Sequence, residues 1–146
     1  MHQPHYRDGL NGQYRLPWVY LHAIKDYTDM AALLEANPAA RVVVNFAPVL
    51  LEQLDDYAEQ LRFWREDKHP MQDGLLNLLA GAKAIPSSVT GRMELVRACR
   101  RAYAPTMIDV FPPFARLLHL LDGTAEDSPV YREKMTYLND GYFRDL

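Results

Sequence analysis

Cysteine is almost absent. The chain has one, Cys99, so no disulfide can form within it, and the composition fits a reducing compartment. With Leu95, Val96 and Ala102 nearby, that thiol reads as a small core residue rather than a nucleophile. No apolar run approaches the roughly 20 residues that span a bilayer, and no signal-peptide pattern stands at the amino terminus. Both point to a cytoplasmic protein without a membrane partner. Positive charge is scarce too. Sixteen Lys and Arg against 19 Asp and Glu give a net charge of −3, which leaves no electrostatic footprint for nucleic acid. The one basic cluster, Arg97, Arg100 and Arg101, has helical spacing and reads as a solvated face or a pairing site for Glu94, with phosphate binding as the alternative.

What is present fits one ordinary domain: 146 residues, 49% hydrophobic and 24% charged. The chain opens on Met1-His2-Gln3-Pro4-His5-Tyr6-Arg7-Asp8, followed by the turn residues Gly9, Asn11 and Gly12. Two imidazoles, an amide, a phenol, a guanidinium and a carboxylate in one short stretch suit a sugar-binding or hydrolytic pocket. Such groups usually sit at the end of a strand that holds them.

Pro17 suits the first turn of a helix in which Trp18, Leu21 and Ile24, with Leu33 and Leu34 further on, recur at helical spacing. Asn37-Pro38 stops it. Arg41 to Phe46 is β-branched and continuously apolar, and reads as a buried parallel strand. Pro48 opens the next helix, with Leu50, Leu51, Leu54, Tyr57, Ala58 and Leu61 as its apolar stripe. Helices are expected over 71–83, from Ser88 or Thr90 to Tyr103, from Asp109 to Leu121, and from Pro129 to near Asp145. Helix, buried strand, helix is α/β grammar. A buried strand needs neighbours on both edges, and this chain offers no second confident one.

His2-Gln3-Pro4-His5-Tyr6 resembles the segment that follows the first barrel strand in glycoside hydrolase family 57. The stretches Gly12-Gln13-Tyr14-Arg15-Leu16-Pro17-Trp18-Val19 and Leu21-His22-Ala23-Ile24-Lys25-Asp26-Tyr27 resemble its continuation, as do Val44-Asn45-Phe46-Ala47-Pro48 and Leu50-Leu51-Glu52-Gln53-Leu54. The resemblance implies the amino-terminal portion of a (β/α)7 barrel, mostly helical here with one or two parallel strands. Residues 1–146 would be a partial catalytic domain, truncated before the catalytic carboxylates. A full (β/α)8 barrel takes about 250 residues. The implied activity is that of a retaining glycoside hydrolase or glucanotransferase on α-glucans or related α-glycosides, with no cofactor and no metal. Its glutamate nucleophile and aspartate acid/base are expected beyond Leu146, so this chain holds no catalytic residue. The implied partners are an oligosaccharide substrate and the remainder of the barrel. The alternative is a stand-alone helical interaction or carbohydrate-binding module.

His2, Gln3, Tyr6, Trp18 and Asn45 are the candidate substrate-binding residues. In the resembling segment the histidine meets sugar hydroxyls, and a neutral imidazole both donates and accepts. Pro4 restricts Gln3 to extended geometry and so sets where His2 projects. Tyr6 and Trp18 offer faces for sugar C–H surfaces, with packing as the competing role. Asn45 stands near the end of the expected strand. His22 and Asp26 share a helix face and read as a structural pair. His2, His5, Asp8 and His22 form the alternative of a metal site, although their spacing matches no strong zinc motif. Asp55-Asp56, Glu66-Asp67 and Glu126-Asp127 are read as solvated charges. Adjacent helical positions diverge, whereas a retaining pair must stand roughly 5–5.5 Å apart across the sugar.

Overall fold

The computed structural model describes residues 1–126 and 128–146. The Glu126-Asp127 pair can therefore be followed only at Glu126, since Asp127 lies outside the described residues. The chain divides into two compact units, Met1–Ala82 and Lys83–Leu146.

In the first unit, α1 (Trp18–His22) follows Pro17 and runs through a π-helical turn, Ala23–Tyr27, into α2 (Thr28–Ala36). Within that wide turn the Thr28 hydroxyl donates to the Ala23 carbonyl at 2.8 Å. The turn explains a departure from the expected apolar stripe. An i→i+5 turn rotates the succeeding helical residues away from regular α phase, and Ile24, in register with Trp18 and Leu21 by simple spacing, is 58% exposed. Asn37 leaves the helical region ahead of Pro38, as the proline requires.

The helix α3 (Pro48–Asp67) starts on a proline and ends on Lys68 in the left-handed region, with φ 58°. Its buried residues are Leu50, Gln53 and Tyr57, at i, i+3 and i+7, and the face packs against α1. Leu51, expected inside, is exposed. A short helix, α4 (Gly74–Leu79), is capped by Asp73. It closes in a Schellman arrangement: Ala82 N–H donates to Asn77 O and Gly81 N–H to Leu78 O, with Gly81 at φ 72°. Tyr14, Val19, Leu50, Tyr57, Met71 and Leu76 form the core of this unit.

The expected buried parallel strand is not formed. Val43 is 99% exposed, and Val42, Val44 and Phe46 are exposed with it. Local β propensity describes fitness for a half-buried pleated surface, not a preference that acts without neighbours. Here, among the described residues, the backbone of 42–46 is paired by Met1 alone. The Met1 amine donates to the Asn45 carbonyl, and Ala47 N–H donates to Met1 O at 3.0 Å. That is the bonding of a parallel pair, one residue long. Two isolated bridges, Arg7 with Tyr14 and Tyr14 with Asp73, complete the β-type pairing described. The α/β expectation, with the portion of a (β/α)7 barrel and its one or two parallel strands, is thereby overturned. The described residues form a helical protein with about 2% strand and no sheet.

The second unit holds α5 (Val89–Cys99), α6 (Ala104–Met107), α7 (Pro112–His119), α8 (Pro129–Tyr137) and α9 (Asp140–Asp145). Ser88 rather than Thr90 caps α5, accepting from Gly91 N–H at 3.1 Å. The last expected helix is two. Leu138 and Asn139 are extended, and Asn139 caps a fresh start at α9. Helix α5 packs on α8 and α9, and α7 on α9. Arg92 joins three of these segments: its guanidinium donates to the Pro86, Met135 and Leu138 carbonyls, pairs with Asp140 at 2.6 Å and lies over the Phe143 ring. Two members of the basic cluster pair across the unit: Arg97 Nε meets Glu126 at 3.2 Å, and Arg100 meets Asp122 at 3.0 Å, while Arg101 is exposed. Cys99 is partly buried, and burial pushes its thiol up to about 11, in keeping with a packing role. Among the described residues no helix is long and apolar enough to cross a membrane.

Candidate functional site

The amino-terminal polar segment has no strand beneath it, yet it is held at two points. Its first anchor is the pairing of Met1 with Asn45 and Ala47. The second is Gln53, which is 1% exposed. Gln53 Oε1 accepts from Tyr6 N–H at 2.9 Å, and Nε2 donates to Pro4 O at 3.1 Å and to Val49 O at 3.0 Å. His2 and Gln3 span the interval between the anchors. Asn45 is brought beside them through its backbone.

The individual candidates fare differently. His2 is exposed, and among the described residues its side chain makes no hydrogen bond. Gln3 is half-buried and accepts from the Tyr6 hydroxyl at 2.9 Å. Tyr6 is half-buried, and burial, followed by the charge of Tyr27, raises its phenol above the ordinary value. Asn45 is exposed and borders a hollow of ≈ 240 Å³ lined also by Met1, Met30, Leu34 and Val42–Val44. Trp18 is half-buried at the start of α1, with its ring centroid 6.0 Å from that of His22. Nothing in the geometry joins Trp18 to the His2–Gln3 segment.

The other candidates are accounted for by partners. Asp8 serves its own turn: Oδ1 accepts from Leu10 N–H at 2.9 Å, and Oδ2 takes Arg15 at 3.2 Å. The backbone bond, then Arg15, holds its carboxyl below the usual range. His22 Nδ1 is bonded to Asp26, and the His22 and Tyr27 rings stack at 6.1 Å. Among the described residues no group of three or more His, Cys, Asp or Glu is gathered as a metal site. His2, His5, Asp8 and His22 are thus not assembled. Of the adjacent carboxylates, Asp56 is not simply solvated. It is half-buried and receives the Tyr14 hydroxyl at 2.8 Å, Gln60 Nε2 at 2.6 Å and the Arg7 guanidinium at 3.3 Å.

Behind this lies a second polar centre. Asp73, 2% exposed, accepts Leu75 and Leu76 N–H on Oδ1 at 2.8 and 3.1 Å, and the Tyr57 hydroxyl on Oδ2 at 2.6 Å. The Tyr14 and Tyr57 rings meet with centroids 4.2 Å apart. Burial, then the adjoining carboxylate, raises both phenols well above their ordinary value. Both therefore act as donors, not as acids, near neutral pH.

The supporting residues Gln53, Asp56 and Asp73 were not among the candidates. Gln53 carried a signal, because it falls in line with Leu50 and Tyr57 on the buried face of α3. A polar residue in such a line must find partners there. Asp73 had the weaker signal of a capping residue just ahead of the Leu75-Leu76 pair. Comparison of the chain with family models, with curated proteins and with solved structures gave no match.

Proposed function

We propose that this chain supplies sugar-contacting groups to a retaining enzyme acting on α-glucans or related α-glycosides, of the kind found in glycoside hydrolase family 57. His2 and Gln3 would meet sugar hydroxyls, Asn45 would stand at their side, and Tyr6 would offer an aromatic face. The observation that supports this reading is the double anchoring of Met1–Tyr6, at Asn45/Ala47 and at Gln53. A short polar segment held at both ends presents its side chains with little entropy left to lose, which a binding site requires. The chain carries no nucleophile or acid/base of its own in this reading. The lone, partly buried cysteine supports a cytoplasmic setting.

Titration of the isotope-labelled chain with maltoheptaose tests it. Shift changes should centre on His2, Gln3, Tyr6 and Asn45, without turnover of the sugar. Changes centred on the second unit, or none at millimolar sugar, would refute the reading, as would glycosidase activity of the purified chain.

The second reading, a stand-alone helical interaction or carbohydrate-binding module, is favoured by the buried cores within the two helical units. The exposed apolar run Val42–Phe46 favours the first. A thermal melt with an apolar dye separates them. A monomer that unfolds cooperatively without binding dye beforehand supports the module.

A further inference from the structure

We infer that Gln53 is the positioning residue for the His2–Gln3 segment, setting the direction in which its side chains leave the surface. The inference rests on the sugar-contacting reading above and names the group that makes that site rigid. A carboxamide has two donor hydrogens and an acceptor oxygen. In Gln53 both donors are used, on Pro4 O and Val49 O, and the acceptor takes Tyr6 N–H. Two of these partners flank His5 on the main chain, so the side-chain amide grips the backbone as a neighbouring strand would. The third, Val49 O, lies one turn earlier on Gln53's own helix and fixes the amide's orientation. No apolar residue of the same shape can do this. Asn, one methylene shorter, cannot reach all three.

The grip also accounts for Gln3. Tyr6 is placed by its N–H on Gln53, and its hydroxyl then holds Gln3 Oε1 at 2.9 Å. Met1 is fixed independently on Asn45 and Ala47. His2 is left as the exposed residue between two immobilised neighbours. Gln53 is buried and offers no surface to a sugar, so its effect must pass through the segment it holds.

The test uses Gln53→Leu and Gln53→Glu in the full chain. With the core signals of Val19 and Leu76 unchanged, Gln53→Leu should abolish exchange protection of Tyr6 N–H and scatter the His2 and Gln3 resonances. Maltoheptaose affinity should fall roughly tenfold, the effect of about one unsatisfied buried group. In a His2→Ala, Gln3→Ala background the same substitution should change affinity little, because its effect runs through those two side chains. Gln53→Glu supplies a readout that general destabilisation does not move. An ionised carboxylate cannot donate to Pro4 O, whereas a protonated one can. The difference between this variant and the unaltered chain at His2 and Gln3 should therefore shrink as pH falls.

Unchanged His2 and Gln3 signals in folded Gln53→Leu would overturn the inference. So would a Gln53→Glu difference that ignores pH. If Gln53→Leu does not fold, the Gln53→Glu profile decides alone. Absence of maltoheptaose binding by the unaltered chain would overturn the sugar reading, and the exchange and resonance measurements would still judge the positioning.

Discussion

Replacing Asp73 by Ala should destabilise the first unit by roughly 2–4 kcal/mol. Two losses combine. The carboxylate caps α4 through Leu75 and Leu76 N–H, and loss of such a cap costs about 1 kcal/mol. It also accepts the Tyr57 hydroxyl at 2.6 Å inside the unit, and stranding that buried donor costs about 1–3 kcal/mol more. Against the roughly 5–15 kcal/mol typical of a whole domain, this is a large share. Asp73→Asn should fall between the Ala variant and the unaltered chain, since Asn caps well but turns an N–H₂ toward a hydroxyl that was donating. The decisive assay is a double-mutant cycle with Tyr57→Phe in urea, followed through resonances of residues 1–82 so that the two units are read separately. The coupling between the two sites should be about 1.5–3 kcal/mol, as for hydrogen bonds to charged groups. Coupling below about 0.5 kcal/mol would refute the bond as a source of stability.

Alkaline pH should remove stability by a related route. Tyr14 and Tyr57 keep their protons in the folded state well above the unfolded value of about 10. Their contribution is complete below that value and is lost as pH rises beyond it. Phenolate absorbance should show some of the nine tyrosines ionising in the native chain and the rest only with unfolding; one shared midpoint would contradict this. Cys99, its thiol raised to about 11 by burial, should react slowly with an aromatic disulfide reagent at about pH 8, and rapid stoichiometric labelling would count against a packed thiol. Val43→Lys, at a 99% exposed position, should leave stability within about 0.5 kcal/mol and reduce dye binding and self-association. A loss of more than about 1 kcal/mol in urea would mean that the residue is covered.

The helices were legible where local chemistry decides them. Pro48 and Pro129 open their helices as expected, and Ser88, one of the two caps the sequence offers, is the one used, because these effects act within one turn of chain. Residues 41–46 were misread for the opposite reason. Their β-branched composition states what they would do with neighbours, and neighbours are a property of the whole fold. The π-turn was hidden because its consequence is a change of phase, and the spacing of Trp18, Leu21 and Ile24 assumed none. At the candidate site, the composition of residues 2–8 drew notice by itself. Its supports did not, because Gln53 and Asp73 matter through what they hold rather than through any reactive group.

The wide turn at Ala23–Tyr27 has a bearing on how this chain tolerates change in length. A π-turn accommodates about one more residue than the α-helix it interrupts. Deleting one residue within it should let α1 and α2 fuse into a single uninterrupted rod rather than break the helix. The casualty would be the Thr28–Ala23 bridge, not the helix itself. One-residue deletions elsewhere in α1 or α2 swing every later side chain round by about 100°. This turn is where the chain carries slack.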